Sequence, residues 1–212
     1  SYCVERGDGM FYPTKMGKMF STEDGKPVSR HNYEWRAAAC MLSLMDRGLD
    51  PLQVLIDRAH EHGIDFWADL RLQRLGGMYP ELEVEQGGDG WAEERVRDLK
   101  FDILQELSTE YPIEGVELDF SAAFAPQGYF YFKDGGTKEN TAIMTEWVRR
   151  VAEMVRNRPG GPGLVGARIF PTDRSNLDQG LDVRTWLSEG LLDFVVPVAY
   201  AYPILDPNMP FE

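Results

Sequence analysis

Residues 113–120 read Ile-Glu-Gly-Val-Glu-Leu-Asp-Phe, and no other stretch constrains the fold as strongly. Val116, Leu118 and Phe120 alternate with Glu117 and Asp119, the period-two pattern of a strand. Helical periodicity before it (91–110) and after it (139–157) predicts a βα unit with a buried parallel strand. Both faces of such a strand are covered, so two carboxylates on one face are not ordinary surface charges. An unpaired buried carboxylate is very costly, so the pair must line an interior that holds partners or substrate. At the carboxyl end of a barrel strand, that pattern predicts a catalytic or binding acid.

The rest of the chain repeats the unit. Ser1 to Val4 reads as the end of a strand, followed by a polar Gly-rich loop and a long irregular segment over 11–33. Helical periodicity appears at 34–46, and Asp50-Pro51 is an N-cap followed by proline at the first helical position. That helix stops at Gly63, and Ile64 to Leu72 reads as a strand. Beyond the 113–120 strand and the 139–157 helix, the spacing predicts a strand over 164–170, a short helix over 182–189 and a strand over 192–200.

Five strands in strand–helix alternation predict a parallel α/β sheet. Long loops after the strands and tight ones before them are the asymmetry of a (β/α)8 TIM barrel, with its site on the long-loop side. A complete barrel takes about 250 residues. A 212-residue chain with long loops is therefore expected to be one partial barrel domain over 1–212, a piece of something longer. A doubly wound sheet is the alternative; it would place a Gly-rich phosphate loop after a strand, and Arg6-Gly-Asp-Gly-Met10 is only a weak echo of one.

Composition narrows the function. A net charge of −13 argues against nucleic acid, whose binding needs a basic footprint. No run of about 20 apolar residues is present to span a membrane. Cys3 and Cys40 fit no metal or redox spacing, and His60-Glu61-His62 lacks the four-residue separation of a metalloprotease pair, so no metal and no cofactor is expected. No signal-peptide pattern begins at Ser1.

The segments Ala59-His-Glu-His-Gly-Ile-Asp-Phe-Trp-Ala-Asp-Leu-Arg71, Gly115-Val-Glu-Leu-Asp-Phe120 and Gly180-Leu-Asp-Val-Arg-Thr-Trp186 resemble bacterial glycosyl hydrolase-like TIM-barrel proteins of the "family 10 glycosylhydrolase" type. The resemblance runs from about Tyr2 to Tyr200. It implies that the visible strands are the second to sixth of eight, that Asp119 ends the fourth, and that the substrate is an oligo- or polysaccharide met in a secreted or periplasmic setting. The same strand is similar to that of family 18 chitinases, with Glu117 and Asp119 on the two later acids of their motif. Ser121 falls where those enzymes carry the proton-donating Glu, and a serine hydroxyl is a poor general acid.

Glycoside hydrolysis usually needs two carboxyl groups. Asp119 is the first candidate, as nucleophile or base, with Glu117 two residues deeper as an interior ion pair or a support for it. Candidates for the second are Asp69, near a strand end beside Arg71, and Asp173 in the loop Pro-Thr-Asp-Arg; Glu5 and Asp8 follow the earliest strand. Basic residues recur at strand ends: Arg6, Lys15, Arg71, Arg74, Arg168 and Arg174. They either recognise an anionic polysaccharide, because Arg forks match carboxylate and sulfate, or (for Arg71 and Arg168) neutralise Glu117 and Asp119. Loop aromatics suit stacking on sugars, with Tyr12, Tyr129, Tyr131, Tyr200 and Tyr202 as subsite candidates and Phe130, Phe132, Trp67, Trp147 and Trp186 as packing residues. Hydrolysis centred on Asp119 is thus expected, with a chitinase-like enzyme of altered acid or a non-catalytic carbohydrate-binding barrel as alternatives.

Overall fold

The structure, a computed structural model, describes residues 1–6, 9–29, 31–72, 90–121 and 131–198. After β1 (Tyr2–Cys3) come two small hairpins, β2 (Glu5–Arg6) with β3 (Gly9–Met10) and β4 (Thr22–Glu23) with β5 (Lys26–Pro27). Helices α1 (Asn32–Asp46) and α2 (Pro51–Glu61) follow. Strands and helices then alternate as β6 (Trp67–Arg71), α3 (Glu94–Glu110), β7 (Gly115–Asp119), α4 (Lys138–Arg156), β8 (Leu164–Ile169), the short helices α5 (Asp173–Asp178) and α6 (Val183–Ser188), and β9 (Phe194–Pro197).

Local chemistry explains the boundaries. Asp50 caps α2 by accepting from the Leu52 and Gln53 amides at 2.8 and 3.3 Å, with Pro51 behind it. Thr137 caps α4 through the Asn140 amide at 3.2 Å, and Asp182 caps α6 through the Thr185 amide at 3.1 Å. Asp24 and Gly25, both at positive φ, close the β4–β5 hairpin, which lies inside the segment expected to be irregular. Helix α5 was also unexpected; a reciprocal Thr172–Ser175 capping box starts it.

The five long-range strands form one parallel sheet in the order β1-β6-β7-β8-β9, which is simple chain order. A doubly wound sheet reverses its order at a switch point; this one does not. Helices α3 and α4 bury Val96, Leu104, Leu107, Val148, Val151 and Val155 in one cluster with Ala68, Leu70, Val116, Leu118, Val165 and Ala167, the even and odd residues of one sheet face. Helices on one face and polar side chains on the other are the layering of a (β/α)-barrel type sheet.

Two glycines shape the amino-terminal end of the other, inner face. Trp67 of β6 and Phe194 of β9 meet edge to face across the two strands between them, ring centroids 4.8 Å apart. A Cβ on Gly115 would come within 2.5 Å of the Trp67 ring, and one on Gly166 would overlap the Phe194 ring. The small residues of β7 and β8 therefore let the rings close over the sheet as an apolar floor. Gly166→Ala is expected to lower stability by about 1–3 kcal/mol, the usual cost of overpacking. A denaturant melt reads it, and Gly166→Ala with Phe194→Leu should recover part of the loss. An unchanged midpoint in Gly166→Ala would contradict this packing.

Candidate active site

Register decides which side chains share the inner face. Cys3, Asp69, Glu117 and Gly166 stand in one row across four strands. Arg71, Asp119 and Arg168 form the next row, nearer the carboxyl ends. Neighbouring strands lie about 4.8 Å apart, so each row is a set of side-by-side groups. Asp69, Glu117 and Asp119 are only 2, 3 and 1% exposed.

Arg168 joins them. Its Nε donates to Glu117 Oε1 at 3.0 Å, and its Nη2 lies 3.0 Å from the same oxygen. Nη2 also lies 3.5 Å from Asp69 Oδ2, and Nη1 lies 3.7 Å from Asp119 Oδ2. One guanidinium thus faces three carboxylates, with the shortest contacts spent on Glu117. The remaining Asp119 oxygen, Oδ1, accepts the Ser121 amide N–H at 3.0 Å.

Those distances set the proton affinities. Burial raises the Asp119 carboxyl, and the neighbouring Asp69 raises it further; Arg168, the Ser121 amide and Arg71 oppose them and lose, leaving it at about 7. Burial likewise raises Asp69 above the ordinary carboxylate range, against the pull of Arg168. Cys3, donating its thiol to the Glu5 carbonyl at 3.0 Å, is pushed up to about 12 by burial and then by Asp69. It is a half-buried thiol that resists ionisation, not a nucleophile. Asp119 is different: it can hold and release a proton near neutral pH, which suits a general acid or base.

The other sequence candidates fall in several places. Arg71 sits in the outer row beside Asp119. Arg6 lies on the hairpin after β1, donating to the Tyr33 hydroxyl at 2.9 Å with its guanidinium 4.9 Å from that ring. Glu5 is buried next to this. Asp8, Arg74, Tyr129, Phe130, Tyr200 and Tyr202 lie outside the described residues.

Four expectations need correction. Tyr12 is fully buried in the helix-side core, where its hydroxyl donates to Glu106 of α3 at 2.9 Å. Lys15 is tied to the same helix, its amide to Glu106 at 2.6 Å and its Nζ to Glu110 at 3.1 Å. Tyr131 is fully buried too: it donates to the Phe120 carbonyl at 2.5 Å and packs against Trp91 and Phe120. Asp173 opens α5 and pairs with Arg184, with no contact to the Arg168 cluster. Each side chain reads as a loop ligand in sequence; core packing claims the two tyrosines, and ion pairs to neighbouring helices engage Lys15 and Asp173. Trp67, expected in the core, instead lies half-buried on the inner face, whereas Phe132, Trp147 and Trp186 are buried as expected. Cys3 was overlooked; alternation with Tyr2 and Val4 on a parallel strand was the signal that it shares Asp69's face.

Among the described residues, no group of three or more His, Cys, Asp or Glu side chains could hold a metal ion, and no helix is long and apolar enough to cross a membrane. No protein-family model and no curated protein matches the sequence. Among solved structures, the chain is similar to a class V chitinase from Pseudomonas fluorescens Pf-5, with 14% identity and a TM-score of 0.45 over 66% of this chain and 37% of that one. It is similar to alpha-L-fucosidase isoenzyme 2 from Paenibacillus thiaminolyticus, with 14% identity and a TM-score of 0.48 over 82% and 28%. A chitinase from Rhizomucor miehei gives 16% identity and a TM-score of 0.44 over 84% and 47%. The chain thus spans less than half of each neighbour's length. Likenesses this weak carry no argument about chemistry, which rests on the geometry above.

The raised Asp119 couples stability to pH. Its ordinary unfolded value is about 3.9. Between there and about 7 the folded protein holds more protons than the unfolded chain, so stability is highest below this window and falls as pH rises through it. Asp119→Asn removes the buried charge. It is expected to be more stable than the parent at pH 8, by on the order of 2–4 kcal/mol, with the advantage vanishing near pH 4. Melts at the two pH values check this; an equal difference at both would contradict it.

Proposed function

We propose that this chain is part of a (β/α) barrel, contributing strands two to six, that binds a polysaccharide over the carboxyl ends of its strands and hydrolyses it with Asp119 as the proton donor. One observation carries the reading: a carboxyl that is 1% exposed, held near pH 7, and placed beside two further carboxyls at a strand's carboxyl end. Parallel-barrel chemistry is done at that end. Asp119 protonates the departing glycosidic oxygen as the bond to the anomeric carbon breaks. A second carboxyl must attack that carbon or activate water. Glu117 is engaged twice by Arg168, while Asp69 keeps one oxygen without a hydrogen bond, so Asp69 is the better partner. Glu117 fixes Arg168, and Arg168 fixes both acids.

Ser121 supports a second reading, a binding barrel without turnover. Its side chain is 2% exposed and its amide is committed to Asp119, so it supplies no carboxyl where chitinase-type strands carry one. The two readings separate on Asp119→Asn, assayed on a polysaccharide panel. The enzyme reading predicts a loss of about 10²–10⁴-fold in turnover with binding retained, and a parent rate that falls as pH rises through about 7, because the active form is protonated. A rate that instead rises through that pH would make Asp119 the base or nucleophile. Binding with no turnover in either protein would leave the barrel as a binding module.

A further inference from the structure

Among the described residues, the inner face holds three buried side-chain atoms with no hydrogen-bond partner: Asp69 Oδ1, Arg71 Nε and Ser121 Oγ. Arg71 stands out chemically. It is half-buried, yet its guanidinium has no hydrogen bond or ion pair among the described residues; only its backbone carbonyl is engaged, by Lys100 Nζ at 3.0 Å. Its register partner is Asp119, whose two oxygens are turned elsewhere, one to the Ser121 amide and one toward Arg168. The three carboxylates of the cluster all converge on Arg168 instead. Arg71 is near enough to Asp119 and Asp69 to feel their charge, but its guanidinium donors are left unused among the described residues, and a guanidinium fork is shaped for two parallel bonds to a planar or tetrahedral oxyanion.

We infer that Arg71 recognises an acidic substituent, a carboxylate or a sulfate ester, on the bound glycan. The inference rests on the glycan-cleaving reading above and names its substrate class. The anion does more than anchor. Negative charge brought beside Asp119 increases its proton affinity, so an acidic substrate helps to keep the proton donor loaded.

A glycan array with matched neutral, uronate-bearing and sulfated oligosaccharides tests this, followed by calorimetry on the tightest binder. The expected result is a preference of at least tenfold for an acidic member over its neutral counterpart. Whether uronate or sulfate leads identifies the acidic group. Arg71→Gln is expected to lose at least tenfold in affinity for that member, and Arg71→Lys to restore only part, because an ammonium cannot make the paired contact. The melting temperature gives an independent readout: the Arg71 guanidinium makes no hydrogen bond among the described residues, so Arg71→Gln should melt close to the parent. Equal binding of neutral and acidic members, or a clear drop in melting temperature without loss of discrimination, would overturn the inference. Cleavage of neutral glycans alone would overturn it while leaving the hydrolase reading intact. No binding to any member would overturn both.

Discussion

The inner face depends on one guanidinium. Arg168 holds Glu117 at 3.0 Å and stands 3.5 and 3.7 Å from Asp69 and Asp119, all three nearly sealed from solvent. Three carboxylates this close could not all ionise in a medium of low polarity without a cation among them. The unequal distances matter as much as the charge. Arg168 makes its shortest contacts with Glu117; at Asp119, where it is farther, burial and a neighbouring acid prevail and the proton stays on to about pH 7. A structural ion pair and a titrating acid arise from the same side chain.

The backbone makes this arrangement possible. Parallel strands in chain order set Asp69 beside Glu117 and Arg71 beside Asp119 beside Arg168, without any loop to position them. Helices cover one face with aliphatic residues, leaving the other to polar groups. At the amino end, Gly115 and Gly166 admit the Trp67–Phe194 ring pair, which closes the polar rows from below. The candidate groups are thus carried on strands, which place side chains more precisely than loops do.

Much of this was legible because strand alternation is a strict rule. Glu117 and Asp119 could be assigned to one face, and Asp69, Arg71 and Arg168 to neighbouring strand ends, from the two-residue period alone. Of the two arginines expected to neutralise the strand acids, Arg168 makes close ion pairs with them, while Arg71 acts on Asp119 without a hydrogen bond among the described residues. What sequence could not supply was register, since the pairing of Cys3 with Asp69 depends on how far each strand slides. Loop aromatics were misread for a related reason. Tyr12 and Tyr131 carry polar tips, but Glu106 and the Phe120 carbonyl satisfy those tips inside the core, 94 residues away in the sequence for Tyr12 and 11 for Tyr131. Local pattern cannot distinguish a tyrosine that meets sugar from one that meets a buried acceptor.

The central claim is that Asp119 is a buried acid poised near neutrality by Asp69 and only partly restrained by Arg168. Its carboxyl carbon can be followed directly in a ¹³C NMR titration of the protein labelled at aspartate, with Asp119→Asn identifying the resonance. An apparent midpoint at about 7 is the result the account predicts. A midpoint at the ordinary aspartate value, about 3.9, would contradict it.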